Sequence, residues 1–153
     1  MYISIDPGLE AGYCVWTSDW QLVEAGVIIP PKKNHSWEER GCMVMEKIAE
    51  IKSRFGVREG YIELPSYFAS AGGAMVAARG DLVKLTWLVG LIYGLFPFGK
   101  CRLVKVHEWK GNLPKAVVIQ RLKKLLEPED FKRLASHSYD ACGLGLYVKG
   151  DFK

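Results

Sequence analysis

Four side chains of this sequence are of types that do chemistry and stand at positions folding alone does not demand. Asp6 ends the run YISID and is followed at once by Pro7-Gly8, Glu63 ends VREGYIEL, and His137 and Asp140 lie three residues apart in SHSYDA. Each has an ordinary explanation taken singly: Asp favours turns before Pro-Gly, Glu63 reads as an edge-strand acid, and His137 as a surface residue at a helix start. Taken together they suggest something else. Like charges held side by side are costly unless a cation lies between them, and oxygen ligands of that kind suit a hard divalent metal. Residues three apart on a helix share a face, so His137 and Asp140 could add a third and fourth ligand. A histidine with several carboxylates can hold two metal ions.

Such a site requires elements that bring distant positions to one place. Residues 2–6, 11–17 and 21–29 form short β-rich runs separated by turn-sized gaps, which predicts an antiparallel meander. PPKKNHS breaks the pattern, Ser36 is placed to cap a helix over roughly 37–55, and Gly56 stands where that helix should stop. A fourth strand ends near Glu63, followed by a Pro-Ser-aromatic loop and a helix over about 74–95. CRLVKV reads as a fifth strand. Pro114 suits the first turn of a helix carrying VVIQRLKKLL, and Ser136 is the expected cap of a last helix through DACGLGLYV. The pattern is α/β: a mixed sheet with helices on its faces. If a helical crossover returns strand four beside strand one, Asp6 and Glu63 face each other.

With 153 residues, 49% hydrophobic and 25% charged, the composition fits one soluble globular domain spanning 1–153, and no repeat, linker or low-complexity tract divides it. The four cysteines show no metal or redox spacing and read as reduced core thiols in a cytosol. Met1 leads into the first strand without a basic, cleavable apolar leader, so export is not expected. The uncharged stretch Leu85–Gly99 is too short to span a bilayer and predicts a buried or subunit-facing helix. The net charge is +4, but Lys100–Arg133 holds ten Lys/Arg against four acids, so this third alone carries +6. Such a strip is either a solvated helix face or a polyanion surface whose cations replace phosphate counterions.

At these residues the sequence resembles the RuvC-type Holliday junction resolvases of the RNase H-like superfamily. The resemblance runs in order through nearly the whole chain: IDPG and a following Gly-Tyr strand, the Ile-Glu pair ending strand four, Ala78-Arg79-Gly80, Lys105 in its strand, Gly111 to Lys115, and His137-x-x-Asp140-Ala. It implies an RNase H-like fold, with antiparallel strands 1–3, parallel strands 4 and 5, and helices on both faces. It also implies an acidic site at Asp6, Glu63 and Asp140, with His137 at a position that is Asp or His in members. Lys105 and Lys115 match lysines near the scissile phosphate. The sequence departs from the pattern in two places. WKGNLPK replaces a glycine-rich Val-Gly-x-Gly stretch, which resembles a phage-type branch, and the loop after Glu63 is shorter than in bacterial members.

The expected function is therefore metal-dependent, structure-selective endonucleolytic resolution of four-way DNA junctions. Two Mg²⁺ or Mn²⁺ ions roughly 4 Å apart, held by Asp6, Glu63, His137 and Asp140, would activate a water and stabilise the leaving 3′-oxygen. Lys115 would neutralise the phosphate. DNA contacts are expected from Tyr67, Phe68, Arg79, Lys105, Lys110, Lys115, Lys123 and Lys124, one loop aromatic stacking on a base beside the junction. Trp109 is assigned to packing. The apolar helix at about 74–95 is the expected homodimer contact, and the setting a bacterial or phage-infected cytoplasm. Competing readings are a related nuclease on other branched DNA or RNA/DNA hybrids, and a junction-binding protein without catalysis. An actin- or Hsp70-type ATPase needs a second related domain and phosphate loop that the sequence lacks.

Overall fold

The computed structural model describes residues 1–65 and 80–152. The strands are β1 (Tyr2–Asp6), β2 (Ala11–Trp16), β3 (Leu22–Ile28), β4 (Glu59–Leu64) and β5 (Cys101–Lys105), in the spatial order β3-β2-β1-β4-β5. β1 pairs antiparallel with β2 and β2 with β3, while β4 lies parallel to both β1 and β5. This is the expected mixed sheet. The helices are α1 (Trp37–Arg54), α2 (Asp81–Tyr93), α3 (Val106–Trp109), α4 (Lys115–Leu125), α5 (Pro128–Lys132) and α6 (Ser138–Lys149). None of them, among the described residues, is long and apolar enough to cross a membrane.

Side-chain alternation along the strands builds a core on each face of the sheet. Ile3 and Ile5 of β1, Val15 of β2 and Ile62 of β4 pack with Val44, Ile48 and Ile51 of α1 and Leu88 and Ile92 of α2. On the opposite face Cys14, Trp16 and Val104 pack with Val118 and Leu122 of α4 and Ala141, Cys142 and Leu144 of α6. The one polar group drawn into the middle of β1 is satisfied, since the buried Ser4 hydroxyl accepts a hydrogen bond from Trp16 Nε1 at 2.9 Å.

The ends of α1 are as its sequence predicts. Ser36 accepts from the Glu39 N–H at 3.1 Å and the Glu39 carboxylate accepts from the Ser36 N–H at 2.7 Å, a capping box. Gly56 follows with φ of 60°. Two expected starts differ. Pro114 is the residue before α4 rather than in its first turn, and α6 is not capped by Ser136. Ser136 has φ of 36°, and its neighbour Ser138 closes the turn instead, donating to the Ala135 carbonyl and accepting from the Ala135 N–H, both at 2.7 Å. Two nearby serines compete for one local role, and the one whose hydroxyl faces Ala135 takes it. The short helices α3, which begins at Val106 where the fifth strand is expected to continue, and α5 are additions to the expected elements. Of the helix expected over 74–95, the part from Asp81 to Tyr93 is described.

Candidate active site

The sheet sets the first two acids. Ile5 pairs with Ile62 in the parallel β1–β4 ladder, so Asp6 and Glu63, the next residues, leave the same end of two adjacent strands. β4 lies between β1 and β5, so Glu63 is not an edge-strand acid. The third acid arrives on α6, and a glycine lets it in. Gly12 sits opposite Asp6 in the β1–β2 ladder, and a Cβ there would lie 2.2 Å from the His137 carbonyl oxygen and 2.8 Å from the Ser138 nitrogen. Only a residue without a side chain allows the start of α6 to lie on this strand. Asp140 then falls in the first turn of α6, where the helix dipole favours a negative charge.

Around these acids the structure gathers a dense polar network. His137 Nδ1 is 3.3 Å from Asp6 Oδ2, and its Nε2 is 3.8 Å from Glu10 Oε2. Trp109 Nε1 donates to Glu63 Oε2 at 2.8 Å. The Lys110 ammonium lies 3.1 Å from Asp140 Oδ1 and 3.7 Å from Glu63 Oε2, and Lys115 Nζ lies 3.2 Å from Asp140 Oδ2. The three carboxylate side chains are only 16%, 13% and 11% exposed for Asp6, Glu63 and Asp140, whereas Lys115 is 47% exposed at the rim.

Crowding of acids shows in their proton affinities. Burial, and then the charge of Asp6, push Glu63 up to about 7, against the pull of Lys110 and the Trp109 N–H. Burial also raises Asp6, opposed by the hydrogen bond from His137 and reinforced by Asp140. His137 is raised first by its hydrogen bond to Asp6. At Lys110 burial acts to lower the pKa, but the charges of Glu63 and Asp140 outweigh it and the net shift is upward. Two acids that resist ionising beside cations that hold their protons describe a pocket with more negative charge than its lysines balance.

Of the predicted residues, Asp6, Glu63, His137, Asp140, Lys110 and Lys115 come together. Lys105 ends β5, paired with Leu64 beside Glu63, and is exposed. Lys123 and Lys124 are exposed in the last turn of α4, eight and nine residues after Lys115 and so about 12–14 Å along the helix from it. Tyr67, Phe68 and Arg79 lie outside the described residues. Two groups have roles that the sequence does not announce. Trp109 is indeed packed, 4% exposed and against Phe152, but its N–H is spent on Glu63. Lys110, expected only at DNA, reaches in between two acids. A signal for the first is present: a glycine in mid-helix costs about 1 kcal/mol relative to alanine, and a Cβ at Gly143 of α6 would lie 2.6 Å from the Trp109 ring.

Compared with solved structures, the described architecture is similar to Thermus thermophilus RuvC bound to a Holliday junction substrate. The TM-score is 0.69 with 19% identity, over 99% of this chain and 97% of that one. The fold is that of RuvC. A second T. thermophilus RuvC structure aligns with a TM-score of 0.68 and 16% identity, over 99% of this chain and 96% of that one. No protein-family model matches the chain, and no curated protein matches its sequence.

The donor set suits a divalent cation: three carboxylates and an imidazole, the acids largely shielded from solvent, with a local excess of negative charge. Among the described residues no three His, Cys, Asp or Glu side chains are gathered as tightly as a metal shell requires. The charge between Glu63 and Asp140 is instead that of Lys110. Chemically the residues fit such an ion, and in this structure Lys110 neutralises the pair Glu63 and Asp140.

Proposed function

We propose that this protein is a metal-dependent, structure-selective endonuclease that resolves four-way DNA junctions by paired phosphodiester hydrolysis. The observation that carries this reading is the convergence of Asp6, Glu63, Asp140 and His137 at one end of a sheet in the RuvC fold, ringed by lysines. A relative in fold that binds a Holliday junction supports the choice of substrate.

Asp6, Glu63, Asp140 and His137 would hold two Mg²⁺ or Mn²⁺ ions per site. When bound, the metal supplies positive charge that eases deprotonation of the attacking water and offsets the negative charge gathering on the departing 3′-oxygen. The protein's own groups do the rest. His137, fixed against Asp6, holds that carboxylate in one orientation, and the Trp109 N–H does the same for Glu63. Lys115 stands at the rim, close enough to Asp140 to remain in the site and exposed enough to meet a phosphate, whose charge it neutralises as the water attacks phosphorus and the P–O3′ bond breaks. Lys105, Lys123 and Lys124 extend the positive surface outward along the DNA backbone.

Symmetric cutting needs two sites. On α2 the apolar side chains Val83 and Trp87 are 72% and 40% exposed, one turn apart on the same helix, and this supports a homodimer joined through α2. The deciding experiment is cleavage of a synthetic four-way junction with and without Mg²⁺, beside a flap and an RNA/DNA hybrid. Symmetric, Mg²⁺-dependent nicks in the junction are expected. Preference for the hybrid or flap would replace this reading with that of a related nuclease.

A further inference from the structure

The Lys110 side chain is placed differently from every other lysine of the basic third. It is 21% exposed, its ammonium sits between the carboxylates of Glu63 and Asp140 at 3.7 and 3.1 Å, and it lies 4.7 Å above the Trp109 ring. An ammonium there does what a metal ion would do for the same two acids, namely separate and neutralise them. The two cations therefore compete: a divalent ion that takes Glu63 and Asp140 must turn Lys110 out, and Lys110 must then find another anion or lie uncompensated against the indole. The ion pair of Lys115 differs in this respect, since that side chain is already half in solvent and among the described residues pairs with Asp140 alone.

A phosphate is the anion that a bound nucleic acid brings to this rim. Resting on the nuclease reading above, we propose that Lys110 is a positioning residue that couples metal loading to DNA binding: it occupies the acid pair while the protein is free and transfers to a backbone phosphate when DNA arrives, leaving Glu63 and Asp140 to the metal. Metal affinity is then low in the free protein and rises on DNA, and by linkage DNA affinity rises with metal by the same factor. Such an arrangement keeps the site weakly charged with metal until substrate is present.

The test is calorimetric titration of Mg²⁺ into the protein, alone and saturated with a four-way junction whose phosphorothioate linkages slow hydrolysis, with the heat of Mg²⁺ binding to the junction alone subtracted. Wild type and two variants, Lys110→Met and Lys110→Gln, are compared, the second retaining a polar end group should the methionine variant unfold. In wild type the junction should tighten Mg²⁺ binding by about tenfold or more, within the usual range of coupling between sites. In either variant Mg²⁺ should bind the free protein about tenfold more tightly than it binds free wild type, and the gain from DNA should shrink to about twofold or less. Equal Mg²⁺ affinity in free wild type and both variants overturns the role of Lys110 while leaving the nuclease reading in place. Absence of Mg²⁺ binding in all three proteins, with and without DNA, sinks the nuclease reading itself.

Discussion

Lys115 and the Lys123-Lys124 pair belong to one helix and one basic stretch of sequence, yet the fold gives them different electrostatic surroundings. Lys115, in the first turn of α4, is 3.2 Å from Asp140, and Lys110 just before it is closer still. Lys123 and Lys124, in the last turn, are exposed and form no ion pair among the described residues. Other cations of the stretch are matched on the surface, Lys100 with Glu59, Arg102 with Glu108, Lys132 with Glu129 and Arg133 with Asp130. Exposed pairs of this kind contribute only about 0–1 kcal/mol to stability, but each lowers the charge presented to a polyanion. The +6 counted along Lys100–Arg133 is thus shared between an inner set that neutralises the acids and an outer set facing solvent. A charge count along a sequence measures neither.

The comparison can be broken most severely at Asp140, the acid that both inner lysines share. Asp140→Asn should lower the single-turnover rate of junction cleavage by on the order of a thousandfold or more, because it removes charge from the site itself. Junction affinity should hold or rise, since two lysines are freed from a competing partner; a rate near wild type would show that the acid cluster is not where the reaction occurs. Asp6→Asn should act alike on rate.

Next in size is Lys115→Ala. If the inner set acts on the transition state, the cleavage rate at saturating junction should fall by about a hundredfold with only a small loss of affinity. A loss confined to affinity would move Lys115 to the outer set.

Replacing Lys123 and Lys124 together by alanine should do the reverse. The slope of log affinity against log salt should become shallower by about two, one for each phosphate that is no longer neutralised, with the saturated rate unchanged. An unaltered slope would mean that the outer lysines face only solvent.

The smallest effect concerns stability in the absence of divalent metal. Glu63 holds its proton up to about 7 in the folded protein against 4.5 ordinarily, so between those values the folded state binds more protons than the unfolded. Stability contributed at this site is therefore greatest below pH 4.5 and falls as pH rises to about 7, above which the loss is complete. Denaturant titrations across this range should show that Glu63→Gln, which cannot ionise, removes part of the downward slope. Identical slopes in the two proteins would mean that Glu63 is not held neutral.

Much of the fold is legible in the sequence because its signals are local. The alternation in β1, β2 and β4 separates two cores, and the capping box at Ser36 and the glycine at position 56 bound α1 without reference to the rest of the chain. The pairing of Asp6 with Glu63 is legible too, because strand order and the end of each run suffice to bring them level. What escapes is the direction of side chains leaving the short turn α3. Trp109 meets Glu63 across 46 residues of sequence, and Lys110 meets Asp140 across 30. Those meetings depend on how α3 seats against α6, which no spacing rule encodes. The exchange of roles between Ser136 and Ser138 escapes for a related reason, since two hydroxyls close in sequence suit one turn and geometry alone selects between them.

The close fit of Gly12 against the His137 carbonyl carries one more implication, for the order in which the molecule acquires its activity. His137 and Asp6 are separated by 131 residues, and of the described helices α6 is the last to leave the ribosome. A nascent or proteolytically shortened chain ending before residue 137 has Asp6 and Glu63 but neither Asp140 nor His137, and closing so long a loop comes late in assembly. Assembly of the full acid cluster therefore waits on the synthesis and docking of α6, and the site is among the last parts of the molecule to form.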